Sequence, residues 1–150
     1  MIQCKDGLWL LTIRKGQAFV PTMACTQAGF YMGIDPVEVL DASDQAAVEQ
    51  AMLRVINRGN PVVPTPARDS FPESPLLKYA RVKSHSAFEK SAQTWKLSKK
   101  EGVYFICPYQ SSKYGGSEED SDRMEAIPDD GPLESVVRRL VDSATCKTKN

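Results

Sequence analysis

The stretch Asp44–Gly59, DQAAVEQAMLRVINRG, decides the fold class because it predicts an amphipathic helix whose two ends are both marked. Asp41 or Ser43 can cap the start of this helix, Asp44 favours its first turn, and Gly59 stands where helices commonly end. The apolar residues recur at the spacing of one helical face: Val48, Ala51, Met52, Val55 and Ile56. A helix with one apolar stripe must bury it against another element, so the chain needs a second layer.

A second amphipathic helix is predicted near the end of the chain, with a stripe of six apolar positions: Leu133, Val136, Val137, Leu140, Val141 and Ala144. Strand-like segments lie at residues 7–13, 18–24, 29–34, 37–40, 95–97 and 103–107, and two short helical segments are predicted at 74–80 and from Ser86 across Phe88. The two amphipathic helices both need an apolar surface, which an antiparallel sheet supplies. The sequence therefore predicts an α+β fold in which an antiparallel sheet of about five strands carries two amphipathic helices packed on one face.

The length of 150 residues predicts one domain, 1–150. Three segments are expected to lie outside its regular structure. Residues 60–75 contain five prolines and predict a proline-rich surface loop. Residues 111–130 predict an acidic loop, and residues 147–150 a frayed polar tail.

From the composition and the first residues, we expect the protein to be cytoplasmic. The four cysteines, Cys4, Cys25, Cys107 and Cys146, are far apart and form no C-x-x-C pair, which favours reduced thiols. The first residues lack the layout of a signal peptide, and no apolar run approaches the roughly 20 residues of a membrane span.

An acidic run, EEDSDRME at 118–125, is the feature that points most directly to function. Its carboxylates, the candidate partner-binding residues, are Glu118, Glu119, Asp120, Asp122 and Glu125. Their spacing does not fit a calcium-binding loop. Two interpretations remain open: a solvated loop, or a face that binds a basic protein partner, because complementary potentials raise association rates and reject wrong partners. Nucleases carry such cationic surfaces, since they must hold phosphates.

An alternative function uses the basic segment 78–100, in which seven bases surround Tyr79, Phe88 and Trp95. Interleaved bases and aromatic rings suit a small nucleic-acid-binding or regulatory domain. The same aromatic residues are the apolar content of the segment, however, so the core needs them. The formal net charge of the whole chain is zero, which also argues against nucleic acid as a partner.

Catalysis is not expected from this chain. His85 is the single histidine, so any histidine-based mechanism would rest on it and a cysteine, without a recognisable orienting acceptor. No second histidine or paired cysteine supplies a metal site, and no phosphate-binding loop is present. We therefore expect no catalytic residues, no metal and no cofactor.

The second half of the chain resembles immunity proteins of bacterial contact-dependent growth inhibition systems. The resemblance rests on LKYARVKSHSAFEK at 77–90, TWKL at 94–97, GVYFI at 102–106 and IPDDGPLESVVRRL at 127–140. It covers somewhat under half of the chain, and its elements are structural. It implies a small cytosolic, non-enzymatic protein that binds the toxic C-terminal domain of a delivered effector, often a nuclease, and occludes its active site. The resemblance assigns no toxin-contacting residue, so the acidic run as binding face is inferred from charge alone.

Overall fold

The computed structural model of the protein describes residues 7–67, 75–111 and 117–147. Within these ranges, the backbone alone is described for His85, Ser86, Glu89, Ser111, Ser117, Cys146 and Lys147. The predicted frayed tail lies outside the described residues, apart from Lys147, which ends the last helix.

The described residues form one sheet of eight strands and four α-helices. The strands are β1 (Gly7–Arg14), β2 (Gln17–Thr26), β3 (Tyr31–Asp41), β4 (Val62–Val63), β5 (Ala92–Lys100), β6 (Val103–Ser111), β7 (Ser117–Glu119) and β8 (Glu125–Pro128). The helices are α1 (Gln45–Arg58), α2 (Pro75–Ala80), α3 (His85–Ser91) and α4 (Leu133–Lys147). The sheet order is β3-β2-β1-β5-β6-β7, with β4 paired to β2 and β8 to β6. All pairs are antiparallel except β2 with β4. The predicted α+β class is confirmed, with more strands than the five expected.

Both predicted amphipathic helices, α1 and α4, share the main hydrophobic core with one face of the sheet. Asp44, rather than Asp41 or Ser43, caps α1: its carboxylate accepts a hydrogen bond from the Ala47 N–H at 3.2 Å. Gly59 follows the helix with a φ of 75°, which glycine adopts without steric cost. The core residues alternate along the strands, since Trp9, Leu11 and Ile13 of β1 all face the helices.

A second, smaller layer covers part of the opposite sheet face. Phe19 lies between Ala18 and Val20 in β2 and therefore points away from the main core. It packs edge-on against Phe88 of α3, with ring centroids 5.9 Å apart. Leu76 and Leu77 of α2 complete this cluster. The expectation of a single helix layer was therefore incomplete.

The two predicted loops contain more regular structure than expected. In the proline-rich segment, Val62 and Val63 form β4, while residues 68–74 of that segment lie outside the described residues. The prediction of an acidic loop over 111–130 was wrong for its described part, because β7, a 3-10 turn at Ser121–Arg123 and β8 occupy most of it. Residues 112–116 lie outside the described residues.

The cysteines differ from the expectation of four reduced thiols. Cys25 is in a disulfide bond, which corrects the expectation at that position. Cys107 is a free, buried thiol. Among the described residues, no helix has both the length and the apolar character needed to cross a bilayer.

Candidate functional site

The sheet brings the five predicted carboxylates together along one edge. Strands β7 and β8 both pair with the outer side of β6: Glu119 lies opposite Tyr109, and Glu125 lies opposite Ile106. Three strand steps separate these positions, a span of roughly 10 Å. We call the surface formed by Glu118, Glu119, Asp120, Asp122 and Glu125 the acidic edge.

Two carboxylates of the acidic edge pair with cations on or beside the sheet. Glu119 pairs with Lys96 of β5, whose side chain is largely buried. Asp120 lies 3.5 Å from Arg123, and its side chain is also largely buried. The backbone fixes Asp120 further, since its N–H donates to the Pro108 carbonyl at 2.8 Å. Glu119 and Asp120 therefore make contacts within the fold in addition to lining the acidic edge.

Glu125 connects the edge to the helix layer. Its two carboxylate oxygens accept hydrogen bonds from Arg139 of α4, at 3.2 Å from Nε and 3.1 Å from Nη2. The hydrogen bond and the charge of Glu125 raise the pKa of Arg139. A two-pronged Arg–carboxylate contact fixes direction as well as distance, so it aligns β8 with α4.

The charges of the acidic edge are largely balanced within the fold. Its five carboxylates face three cations, Lys96, Arg123 and Arg139, which leaves two negative charges. Glu118 and Asp122 are exposed and have no ion-pair partner among the described residues. Ion pairs within the fold therefore already offset the charges of Glu119, Asp120 and Glu125.

An apolar side chain stands out in the same edge. Met124 is 46% exposed and lies between Arg123 and Glu125. Methionine is enriched in protein–protein interfaces, because its flexible thioether adapts to irregular apolar surfaces. Met124 thus adds a small apolar contact to an otherwise charged surface.

The buried groups beside the acidic edge are poor nucleophiles. Burial, together with the negative charge of Glu119, raises the pKa of the Cys107 thiol. The same two causes raise the pKa of Tyr109. Both groups therefore keep their protons at neutral pH, which suits packing and hydrogen bonding rather than attack on a substrate.

The backbone of His85 lies at the start of α3, and its side chain is outside the described part of the structure. Within the described ranges, no group of three or more His, Cys, Asp and Glu residues is arranged to hold a metal ion.

The basic segment 78–100 does not form one continuous surface. Lys96 pairs with Glu119, and Lys99 pairs with Asp129 at 2.8 Å. Phe88 and Trp95 are buried in the two cores, so they are not available to stack on nucleotide bases. Of the three aromatic residues on which the nucleic-acid interpretation depended, only Tyr79 is therefore exposed.

Sequence reasoning missed the cations that pair with the acidic edge. Lys96 and Arg139 stand far from residues 118–125 in the chain, and only the strand register and the packing of α4 bring them close. Arg123 was visible inside the run, where the three-residue spacing to Asp120 favours a contact.

Comparison with known proteins shows shared folds. No protein-family model and no curated protein matches the chain. A solved structure of a protein of unknown function from Neisseria meningitidis matches 96% of this chain and 98% of its own, with a TM-score of 0.65 and 13% identity. A chain of a CdiA-CT/CdiI toxin and immunity complex from Yersinia pseudotuberculosis matches 95% of this chain and 98% of its own, with a TM-score of 0.62 and 12% identity. The likeness shows the fold. At such low identity it does not transfer a function by itself.

Proposed function

We propose that this protein is an immunity protein that binds a cognate toxin domain and neutralises it by occluding the toxin's active site. The observation that carries the proposal is the fold shared, over nearly the whole chain, with a chain of a toxin and immunity complex. The earlier resemblance of residues 77–140 to immunity proteins supports the same role. The protein would act in the bacterial cytoplasm and without catalysis of its own.

The surface chemistry favours the immunity role over the toxin role. An exposed edge with unpaired carboxylates attracts cationic protein surfaces and repels phosphates. A toxin that cleaves nucleic acid needs the opposite charge at its active site. We therefore infer that the toxin is a nuclease whose cationic face meets the acidic edge. Carboxylates placed there would occupy the positions of substrate phosphates.

Exposure and the lack of an ion pair among the described residues support Glu118 and Asp122 as the acids that carry the interaction. Glu118 and Asp122 are exposed and unpaired within the described residues, so docking requires no internal ion pair to break. Glu119, Asp120 and Glu125 would contribute mainly by shaping the edge. Charges at the rim of an interface change the association rate and its salt dependence more than the dissociation rate.

The role is tested by expressing the protein with the toxin domain encoded beside it. Protection of growth and co-purification of a stable complex are the expected results. Growth arrest caused by this protein alone would assign it the toxin role, and absence of a complex would refute toxin binding.

The acidic edge is tested separately, by a matched pair of double variants. Glu118→Gln with Asp122→Asn removes the two unpaired charges. Glu134→Gln with Asp142→Asn removes two exposed acids of α4 and changes the net charge equally. We expect the first variant alone to slow association several-fold at low salt, with little difference from the parent at high salt. If the parent binds the toxin and both variants bind equally fast, the acidic edge is not the interface, while the immunity role stands.

A further inference from the structure

A second charged surface lies where the ends of α2 and α3 meet the end of β1. Arg14, the last residue of β1, is only 9% exposed. Its Nε donates to the Ser91 hydroxyl at 2.8 Å, and its Nη1 donates to the Ala80 carbonyl at 3.5 Å. The guanidinium also lies over the Phe88 ring, 5.8 Å from its centroid. Arg14 therefore has neutral acceptors and an aromatic ring, but no carboxylate among the described residues.

Exposed bases adjoin, along the chain, the residues that make this contact. Lys15 follows Arg14 in the chain, Arg81 follows Ala80, and Lys90 precedes Ser91. Lys83 lies two residues beyond Arg81. All four are exposed, and none has an ion-pair partner within the described part of the chain. We call Lys15, Arg81, Lys83 and Lys90, together with Arg14 beneath them, the basic corner.

The concentration of unpaired bases is specific to this place. Eight other bases with described side chains pair with carboxylates: Arg54, Arg58, Lys78, Lys96, Lys99, Arg123, Arg138 and Arg139. Outside the basic corner, Lys100 is the one base with a described side chain that lacks such a partner. Among the bases with described side chains, those without an ion-pair partner are thus concentrated at the basic corner.

The backbone at Arg81 adopts a conformation that side chains disfavour. Arg81 has a φ of 59°, and the Val82 N–H donates to the Leu77 carbonyl at 3.1 Å, so Arg81 holds the left-handed position that ends α2. Glycine is the usual residue there, because a side chain makes this conformation unfavourable. The charge of Arg81 can therefore be removed by a change to glycine without strain on the backbone.

The surroundings distinguish between a nucleic acid and a protein as the partner. Phe88 and Trp95 are buried, and the Tyr79 hydroxyl donates to Asp35 at 2.8 Å while Lys78 lies over the Tyr79 ring. Among the described residues, the aromatic rings nearest the basic corner are therefore buried or held by other contacts, which disfavours stacking on nucleotide bases. A few compact charges without stacking suit carboxylates carried by a short acidic segment.

We propose that the basic corner docks a short acidic segment of a protein partner. This surface lies on β1, α2 and α3, whereas the acidic edge lies on the far side of β6, so the two surfaces belong to different regions of the sheet. The inference goes beyond toxin binding and does not depend on it.

The test uses a fluorescein-labelled oligoglutamate peptide and fluorescence anisotropy at low and physiological salt. The corner variant carries Gln at Lys15, Arg81, Lys83 and Lys90. The control variant carries Gln at Arg54, Lys78, Lys99 and Arg138, which are also exposed at the side chain and give the same change in net charge. We expect the corner variant to bind the peptide about tenfold more weakly than the parent, a change of about 1.4 kcal/mol, and the control variant to bind it nearly as well.

A single variant protects the test against misfolding. Arg81→Gly removes one base and relieves the left-handed strain, so it should raise the denaturation midpoint while it weakens peptide binding. If Arg81 had a purely structural role, the denaturation midpoint and the affinity for the peptide would not change in opposite directions. Failure of the parent to bind the peptide would overturn the proposal, as would equal losses in the corner and control variants. The parent could instead bind a labelled oligouridylate more tightly than the peptide and lose that binding in the corner variant. This result would overturn the proposal and assign RNA as the partner of the basic corner.

Discussion

Gly7 is predicted to be essential for the packing of Trp9, and Gly7→Ala should destabilise the protein. A Cβ at position 7 would lie 2.1 Å from Cη2, 2.6 Å from Cζ3 and 2.9 Å from Cζ2 of the indole. Carbon atoms in ordinary contact are about 3.5–4.0 Å apart, so the ring or the backbone would have to move by roughly 1.4 Å. Trp9 is only 6% exposed and packs in the main core, which limits that movement. Overpacking of this kind costs about 1–3 kcal/mol.

Gly131→Ala is the matched control, because a Cβ there meets nothing within 4 Å and neither glycine has a positive φ. It should be neutral or stabilise by up to about 1 kcal/mol. Urea denaturation separates the two: with a slope of about 2 kcal/mol per molar, a loss of about 2 kcal/mol lowers the Gly7→Ala midpoint by about 1 M.

A double-mutant cycle with Trp9→Phe tests the cause. Phenylalanine lacks part of the ring system that meets Gly7, and it also removes Trp9 Nε1, a buried donor with no hydrogen-bond partner among the described residues. Gly7→Ala should therefore cost less in the Trp9→Phe background. An equal cost in both backgrounds, or equal midpoints for Gly7→Ala and Gly131→Ala, would refute the steric reasoning.

Three further predictions concern the core and the acidic edge. Leu140→Ala should lower the free energy of unfolding by about 2–5 kcal/mol, since Leu140 is fully buried in the main core; a loss below about 1 kcal/mol in urea denaturation would contradict that placement. Asp120→Asn should destabilise by about 1 kcal/mol because it weakens the contact with Arg123, whereas Asp122→Asn should stay within about 0.5 kcal/mol; the reverse order of midpoints would contradict the assignment. Cys107 should react slowly with a disulfide reagent at pH 8 in the native protein, because burial keeps its thiol protonated. The rate attributable to Cys107, obtained by difference from Cys107→Ala, should rise on denaturation. A native rate as fast as the denatured rate would show an accessible thiolate.

The helices that decided the fold class could be predicted because their signals are local. The apolar stripe of α1 and the glycine after it lie within one short stretch, and the structure places both as the pattern indicates. The same holds for the stripe of α4, whose residues Val137, Leu140 and Val141 are fully buried. Periodicity works here because each helix has one covered side.

The strand count failed for a physical reason. β7 and β8 contain glutamates, which have low intrinsic strand preference, and β4 has only two residues. These segments are strands because a neighbouring strand supplies hydrogen-bond partners, which is a tertiary effect. The second helix layer had a visible signal, however. Apolar residues fall on both faces of β2, for example at Ala18, Phe19 and Val20, and a strand with two apolar faces requires cover on both.

For the acidic run, the sequence predicts the position at the surface but not the ion pairs. Its place at the surface could be predicted from composition, since charged clusters stay exposed. Its charge balance could not, because Lys96 and Arg139 reach Glu119 and Glu125 only through strand register and helix packing. Counting charges along the sequence therefore overstated the negative potential of the site.

Ion pairing separates the charges that support this fold from those available to a partner. Glu119 and Glu125 each join two elements through a cation, so their loss acts first on the stability of the sheet edge. Glu118, Asp122 and the four exposed bases of the basic corner have no such partner among the described residues. An exposed, unpaired charge contributes little to folding, and a partner can use it without first breaking an internal contact. Changes at these six residues should therefore alter association rates, while changes at the paired acids should alter unfolding. The two surfaces also lie in different regions of the sheet order, so changes at the basic corner should leave the association rate at the acidic edge unchanged.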